Sequence, residues 1–424
     1  MVTELAVHLD GQLCGVVTQS AGGDVTFRYD EPWRRSPSPT PLSLSMPLAA
    51  ATHRKRVVLP FLRGLLTDNA EALEATARRF GVSRANPVAL LERVGADVAG
   101  SVQITGPGSS PEDATGSRDL VTPVSDAAVG TMLRHAVSEY AEGVPWSDGV
   151  GRFSLAGAQP KIALHRLDDG WGTPREATPT THILKPVAGA ARRIDVVEQL
   201  TMRAAHHLGN DVAESELVEI DGLDVYVTRR YDRELVEGTW RRLHQEDLCQ
   251  ALAVSPDKKY QHRDGGPGLA AVAGLARSLP READRRELAA TFYRAVVFNV
   301  VAGCTDAHAK NYSVLLDGDH VSLAPLYDLV TYAPYWDRVS RIDSAMHVGG
   351  EYSLARIGAG DLVDAGRSFG LGREEATEVV EGVRRGLVAA FEQAVDGLRE
   401  DVRLSSGIVD DVMAGVRALP LVHG

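Results

Sequence analysis

Lysine is scarce in this chain. Of 45 basic residues only six are lysine, at positions 55, 161, 185, 258, 259 and 310, and the rest are arginine. Arginine therefore fills almost every generic cationic role, and a remaining lysine marks a place where a compact ammonium serves better than a planar fork. Cysteine is scarcer still. Cys14, Cys249 and Cys304 are too few and too scattered for a disulfide frame or a thiolate metal site. The longest apolar run, around 295–302, falls far short of the ~20 residues a bilayer span needs. Near the start stand Glu4 and Asp10, with neither a basic n-region nor an apolar h-region, so no secretory signal is expected and a cytoplasmic protein is. Positive charge is also short: 45 Lys+Arg against 57 Asp+Glu leave a net charge of −12. That balance disfavours nonspecific nucleic-acid binding, which rests on neutralising phosphates with basic residues.

What is present is an ordinary globular composition, 44% hydrophobic and 24% charged, which argues against disorder and coiled coil. At 424 residues it suggests two or three compact units. Residues 1–105 begin with strand-like alternation, pass a Pro/Ser-rich turn region at 36–47, and continue with helical patterns near Leu59–Phe80 and Pro87–Val94. A linker at 106–118 is dense in turn formers. From 119 to 235 a helical repeat at Val129–Tyr140, with Ser125 or Asp126 as its N-cap, precedes a β-rich stretch. That stretch has strands at Lys161–Leu167 and His182–Lys185, then two more joined by Asp221-Gly222, a two-residue hairpin signal. Helices dominate from 236 to 424. Leu288–Gly303 reads as a buried helix stopped by Gly303, and a second Asp-Gly hairpin follows at 317–318.

The segment Thr305-Asp306-Ala307-His308-Ala309-Lys310-Asn311 lies between the buried helix and that hairpin, and Asp328 lies just beyond it in Pro325-Leu326-Tyr327-Asp328. A hairpin brings its entry beside its exit, so Asn311 and Asp328 are expected to be neighbours. An aspartate, an asparagine five residues on, and an aspartate across a hairpin match the layout of protein-kinase-like enzymes. There the first aspartate accepts the substrate hydroxyl proton, while the asparagine and second aspartate hold Mg²⁺ with hard oxygen ligands. A hydrolytic metal site built from Asp306, His308, Asp328 and His347 is the competing chemistry, although the His pair at helical spacing is missing. Upstream, a small-residue loop from Ser154 through Ala156, Gly157, Ala158, Gln159 and Pro160 to Lys161 could bring backbone N–H groups close to phosphate oxygens. Lys185 ends a strand as a phosphate-contacting lysine would, and Glu198 on the next helix could orient it. The order along the chain is that of a kinase.

These residues resemble the HipA family of serine/threonine kinase toxins over nearly the whole chain. The first subdomain carries Pro41–Leu48, Gly64–Asn69 and Gly95–Gly100. The core carries Gly157–Lys161, Thr181–Lys185, Gln245–Cys249, Gly265-Gly266-Pro267, Thr305–Asn311 and Pro325–Asp328, all in the family's order. Thr67 stands where the family pattern has proline, which reads as a surface change. The resemblance implies an α+β, protein-kinase-like two-lobed fold with a mixed α/β N-terminal subdomain and a mostly helical C-terminal lobe. It implies ATP and Mg²⁺ as cofactors and Asp306 as the catalytic base. ATP contacts are implied for Ala156 through Lys161, Lys185, the hinge residues Arg229, Arg230 and Tyr231, then His308, Ala309, Lys310, Asn311, Tyr327 and Asp328. Asn311 and Asp328 are the implied metal ligands, and Ser154 is the implied autophosphorylation site, where added negative charge would repel ATP. The implied partners are a small helix-turn-helix antitoxin, HipB-like and bound with it on operator DNA, and a protein substrate of the aminoacyl-tRNA synthetase type.

Two other classes compete with the toxin kinase. One is a small-molecule phosphotransferase, which would need a pocket of charged residues that the sequence does not display. The other is a co-repressor acting only through an antitoxin–operator complex, against which the complete Asp306, Asn311 and Asp328 set argues. An adjacent reading frame encoding a helix-turn-helix protein of about 70–100 residues (the family's expected size) would favour the first reading.

Overall fold

A computed structural model describes residues 2–106, 120–142, 156–157, 159–175, 178–189, 191–405 and 407–423, and the architecture is α+β. Ser154, Ala158 and nearly all of the expected linker lie outside the described residues. The chain forms two compact units that interleave in sequence. The first comprises residues 1–188, 218–257 and 315–319, and the second 189–217, 258–314 and 320–424.

The first unit holds two larger sheets and the two-stranded antiparallel ribbon of Arg233–Val236 and Thr239–Arg242. In the five-stranded one the order is Thr52–Arg54, Val25–Tyr29, Gln12–Gln19, Thr3–Leu9 and Val102–Thr105. Alternation in Thr3–Leu9 turns Leu5, Val7 and Leu9 inward, where they pack with Phe27, Phe61 and Leu91. The Pro/Ser-rich stretch is held to this core by Tyr29, whose hydroxyl donates to the Met46 carbonyl at 2.5 Å and accepts from the Leu42 N–H at 2.8 Å. The six-stranded sheet runs Ser215–Ile220, Leu223–Arg229, His182–Pro186, Ile162–Leu167, Gly170–Pro174 and Val121–Val124. Helix Asp126–Glu142 buries Val129 and Leu133 against its Leu164, Leu184 and Val225. Its start is capped by Ser125 Oγ, which accepts the Ala128 N–H at 3.3 Å.

One expected helix is two. The pattern near Leu59–Phe80 divides into Lys55–Gly64 and Ala70–Phe80, because Asn69 takes an extended conformation and caps the second helix by accepting the Ala72 N–H at 2.8 Å.

The first unit also buries a carboxylic acid. Glu246 is fully enclosed and accepts from the Leu44 N–H at 2.7 Å and the Ser43 hydroxyl at 2.5 Å. Burial pushes its pKa up to about 8; those two donors oppose the rise and Asp247 adds to it. The folded state therefore holds a proton that the unfolded chain, titrating near 4.5, has released. Stability is full below that lower value and falls as pH rises towards 8, by roughly 3–4 kcal/mol between pH 5 and 8 from this group alone. Urea unfolding across that range is expected to show the decline, and Glu246→Gln to flatten it. A wild-type slope unchanged in Glu246→Gln would assign the decline elsewhere.

The second unit is mainly helical. Its helices include Ile194–His207, Leu269–Ser278, Glu282–Val301, Ala359–Ser368, Arg373–Asp396 and Ile408–Arg417. Glu282–Val301 is the buried one, with Leu288, Phe292, Tyr293, Val297 and Val301 each at most 1% exposed. Asp284, near its start, accepts from the Val321 N–H at 3.0 Å and meets His320 Nδ1 at 2.9 Å, which ties the returning hairpin strand His320–Leu323 to the helix. No helix among the described residues is long and apolar enough to cross a membrane.

Candidate active site

The residues expected to form a catalytic loop, Thr305–Asn311, and Asp328 beyond the hairpin lie wholly in the second unit. Helix Glu282–Val301 ends at Ala302, and Gly303 follows at φ +69°, the left-handed conformation glycine adopts without penalty. The turn sends the chain into Thr305–Asn311. It is fastened by the Cys304 N–H to the Asn299 carbonyl at 2.8 Å and by the Tyr332 N–H to the Gly303 carbonyl at 2.9 Å. Inside the loop the Asp306 carbonyl accepts twice at 2.8 Å, from the His308 N–H and from Asn311 Nδ2. The asparagine amide is thus oriented by the backbone of the aspartate it accompanies, and the ligand atom it can offer a cation is Oδ1.

Asp328 reaches the same place from the far side of the hairpin. The hydroxyl of its neighbour Tyr327 donates to the Lys310 carbonyl at 2.9 Å and accepts from Ser313 Oγ at 2.7 Å. Leu326 is held between the Asp211 carbonyl and the Ala213 N–H, at 2.9 Å each. With both sides fixed, Asp328 is held at φ +58°, a left-handed conformation that costs a residue with a side chain about 1–3 kcal/mol and persists where its surroundings impose it.

Asp306 is exposed by surface area yet closely walled. Desolvation by those walls lifts its carboxyl above the ordinary value, a hydrogen bond from Tyr260 opposes the rise, and the negative charge of Asp328 adds to it. The Asp328 effect places the two carboxylates in one electrostatic neighbourhood. Nothing in the sequence singled out Tyr260. Its hydroxyl donates to Asp306 Oδ1, its ring stands edge-on to His308 at 4.6 Å, and the Arg263 guanidinium covers its face at 3.8 Å. The Lys259 carbonyl also accepts the Ala309 N–H at 3.3 Å, so Lys259-Tyr260 is stitched directly to the catalytic loop. The available signal was the lysine scarcity, since Lys258-Lys259 adjoins the tyrosine.

The residues expected to cradle phosphates lie in the first unit. Lys161 Nζ donates to the Ala156 carbonyl at 2.8 Å, closing the loop on itself. Gly157 sits at φ +113°, and a Cβ there would stand 2.3 Å from Lys161 Nζ. Gln159 and Pro160 lead half-buried into strand Ile162–Leu167. Lys185 pairs with Tyr226 in the sheet register, its ammonium 5.4 Å from that ring's centroid. Glu198 is buried on helix Ile194–His207 in the second unit, where a solvated glutamate would be the ordinary case.

Two expectations are revised and one competing reading loses ground. Arg230 serves structure. It is 4% exposed, bidentate to Asp232 at 3.0 and 2.8 Å, and bonded to Thr180 Oγ1 and the Val98 carbonyl at 2.8 Å each, so its side chain is spent inside the unit. Its hinge companions Arg229 and Tyr231 are half-buried, and the Tyr231 hydroxyl donates to Gln245 Oε1 at 2.8 Å. Thr67 is no bare surface position, because its hydroxyl donates to the Gly157 carbonyl at 3.1 Å. The competing hydrolytic site of Asp306, His308, Asp328 and His347 gains no support, since among the described residues no three His, Cys, Asp or Glu side chains gather as a metal-holding group.

With this geometry in hand, comparison with known proteins is direct. Residues 5–105 match the HipA N-terminal domain and residues 153–391 the HipA-like C-terminal domain. The Sinorhizobium fredii protein Y4mE is 34% identical over 95% of this chain and 96% of its own length. The serine/threonine-protein kinase toxin HipA of Shewanella oneidensis is 28% identical over 87% of this chain and 84% of its own. The solved structure of Shewanella oneidensis HipA, in complex with HipB and operator DNA, superposes with a TM-score of 0.80 at 25% identity, covering 98% of this chain and 97% of that one. The shared protein-kinase-like fold, the two matched domains and the grouped Asp306, Asn311 and Asp328 lead to one statement: the chain belongs to the HipA family and is a serine/threonine-protein kinase.

Proposed function

We propose that the chain is the toxin of a toxin–antitoxin pair, transferring the γ-phosphoryl group of ATP to a serine or threonine of a translation component such as an aminoacyl-tRNA synthetase. The observation that carries the phosphotransfer reading is the gathering of Asp306, Asn311 and Asp328 on one braced loop and its hairpin. Phosphoryl transfer asks little covalent chemistry of a protein, so positioning and electrostatics do the catalysis. Asp306 accepts the proton of the attacking hydroxyl, and its raised affinity for protons suits a base that must take one near neutral pH. Lys185 and the loop from Ala156 to Lys161 bind the phosphates. Arg229, Arg230 and Tyr231 line the adenine hinge, Arg230 through its backbone, and His308 through Asn311 with Tyr327 lie along the nucleotide.

Asn311 and Asp328 would hold Mg²⁺. They fit it: Asp328 offers a carboxylate, and Asn311, its Nδ2 tied to the Asp306 carbonyl, offers Oδ1, both hard oxygen donors. When bound, the ion neutralises charge on the β- and γ-phosphates. The HipB and operator DNA found with the Shewanella oneidensis protein support a small helix-turn-helix antitoxin as partner here, in the cytoplasm. Autophosphorylation of Ser154 would switch the kinase off by placing about −1.5 to −2 charge beside the phosphate loop.

Calorimetry tests the nucleotide site. Asp328→Ala is expected to weaken Mg·ATP binding more than binding of magnesium-free ATP, and Lys185→Ala to weaken both, each by roughly tenfold or more for a lost charged contact. Unchanged Mg·ATP affinity in both variants would sink the reading.

A further inference from the structure

The turn that breaks the first subdomain's helical pattern carries a hydroxyl whose bonding capacity is fully used. Thr67 Oγ1 donates to the Gly157 carbonyl at 3.1 Å, and the Asp68 N–H donates to the same carbonyl at 3.3 Å. A hydroxyl has one hydrogen and two acceptor sites. With its hydrogen spent on Gly157, Thr67 Oγ1 accepts from the Asn69 N–H at 3.2 Å and from the Tyr140 hydroxyl at 3.2 Å. Asn69 reinforces the junction, donating from Nδ2 to the Tyr140 carbonyl at 3.3 Å while its Oδ1 caps helix Ala70–Phe80. The result is a directed relay, Tyr140 to Thr67 to Gly157, in which each bond polarises the next.

Gly157 is where that relay ends and where the phosphate loop turns at φ +113°. Pinning its carbonyl fixes the plane of its peptide. Lys161 meanwhile ties the adjoining Ala156 carbonyl from the other side at 2.8 Å. Two consecutive carbonyls of the loop are therefore held from opposite ends, one by a lysine within the loop and one by the first subdomain.

We propose that Thr67 is a positioning residue for ATP: through its hydroxyl the first subdomain holds the phosphate loop in the curve that receives the nucleotide. Thr67 touches no nucleotide atom and acts through Gly157. The proposal rests on the reading of this loop as the ATP-phosphate site. It gives the 5–105 domain a part in catalysis and not only in architecture.

Mg·ATP titration calorimetry on the full chain decides it, with wild type, Thr67→Val, Thr67→Ser, Tyr140→Phe and Lys185→Ala. Thr67→Val keeps the shape and loses the hydroxyl, so affinity is expected to fall about 3–10-fold, with KM for ATP rising by the same factor. Thr67→Ser retains the hydroxyl and is expected to stay within about twofold of wild type. Tyr140→Phe leaves Thr67 in place and removes one bond of the relay. It is expected to weaken binding about twofold to threefold, and it carries the test should Thr67→Val not fold. Thr67→Val binding like wild type, or Thr67→Ser failing as badly as Thr67→Val, overturns the proposal. Failure of the ATP-site reading looks different, since wild type would then bind no better than Lys185→Ala.

Discussion

Asp306→Asn protein is expected to lose phosphoryl transfer by about 10²–10⁴-fold while keeping its fold and most of its ATP affinity. The substitution removes the proposed proton acceptor and leaves the scaffold. The bonds that shape the loop run to the Asp306 carbonyl, from the His308 N–H and Asn311 Nδ2, and asparagine keeps that carbonyl. The Tyr260 hydroxyl would still find an amide oxygen in place of Oδ1. Single-turnover transfer from labelled ATP measures the loss, and calorimetry measures the retained affinity. Mass spectrometry of the same samples reads Ser154, which should gain phosphate in wild type incubated with Mg·ATP and none in Asp306→Asn. A variant that autophosphorylates at the wild-type rate would show that another group takes the proton.

Legibility of the site in the sequence followed the range of the interaction. That the segments carrying Asn311 and Asp328 meet was readable because both flank one hairpin, which Asp317-Gly318 announces locally. The stop of the buried helix at Gly303 was readable for the same reason. Tyr260 was not, because it meets Asp306 across 46 residues through a contact that no periodicity encodes. Thr67 was misjudged twice over. The helical pattern ran through it, hiding the turn that the Asn69 cap creates, and its partner Gly157 lies 90 residues away. Strands such as Arg233–Val236 and Thr239–Arg242 escaped because charged side chains fill them, and two of their three arginines, Arg233 and Arg242, point inward to a buried carboxylate. A basic residue in a strand ordinarily signals solvent; here it signals an ion network.

That network yields the largest expected effect on stability. Asp97, in the Gly95–Gly100 motif, is 4% exposed and faces three guanidiniums, Arg233 at 2.8 Å, Arg242 at 3.3 Å and Arg230 at 3.6 Å. It also accepts from the Thr180 N–H at 3.0 Å and the Thr180 hydroxyl at 2.7 Å. Burial alone would raise its carboxyl, but Arg233, Arg230, Arg242 and the Thr180 N–H outweigh that and hold it well below the usual carboxylate range. Asp232, the other buried acid of the network, is bonded to Arg230 and to the Gly100 N–H at 2.7 Å. Asp97 is the carboxylate that Arg230, Arg233 and Arg242 all share, so removing it takes an anion from each of three buried cations at once. Truncating one member of a buried ion network costs about 3–5 kcal/mol, because it strands partners that cannot reach water. Asp97→Ala is therefore expected to lower unfolding stability by that amount and to yield little folded protein at 37 °C. Asp97→Asn, which keeps the shape and an oxygen for the Thr180 N–H, should lose nearly as much, since charge and not volume is what the three arginines lack. Urea unfolding of both variants measures it. An Asp97→Asn variant within about 1 kcal/mol of wild type would mean that hydrogen bonding, and not charge balance, is what the network supplies.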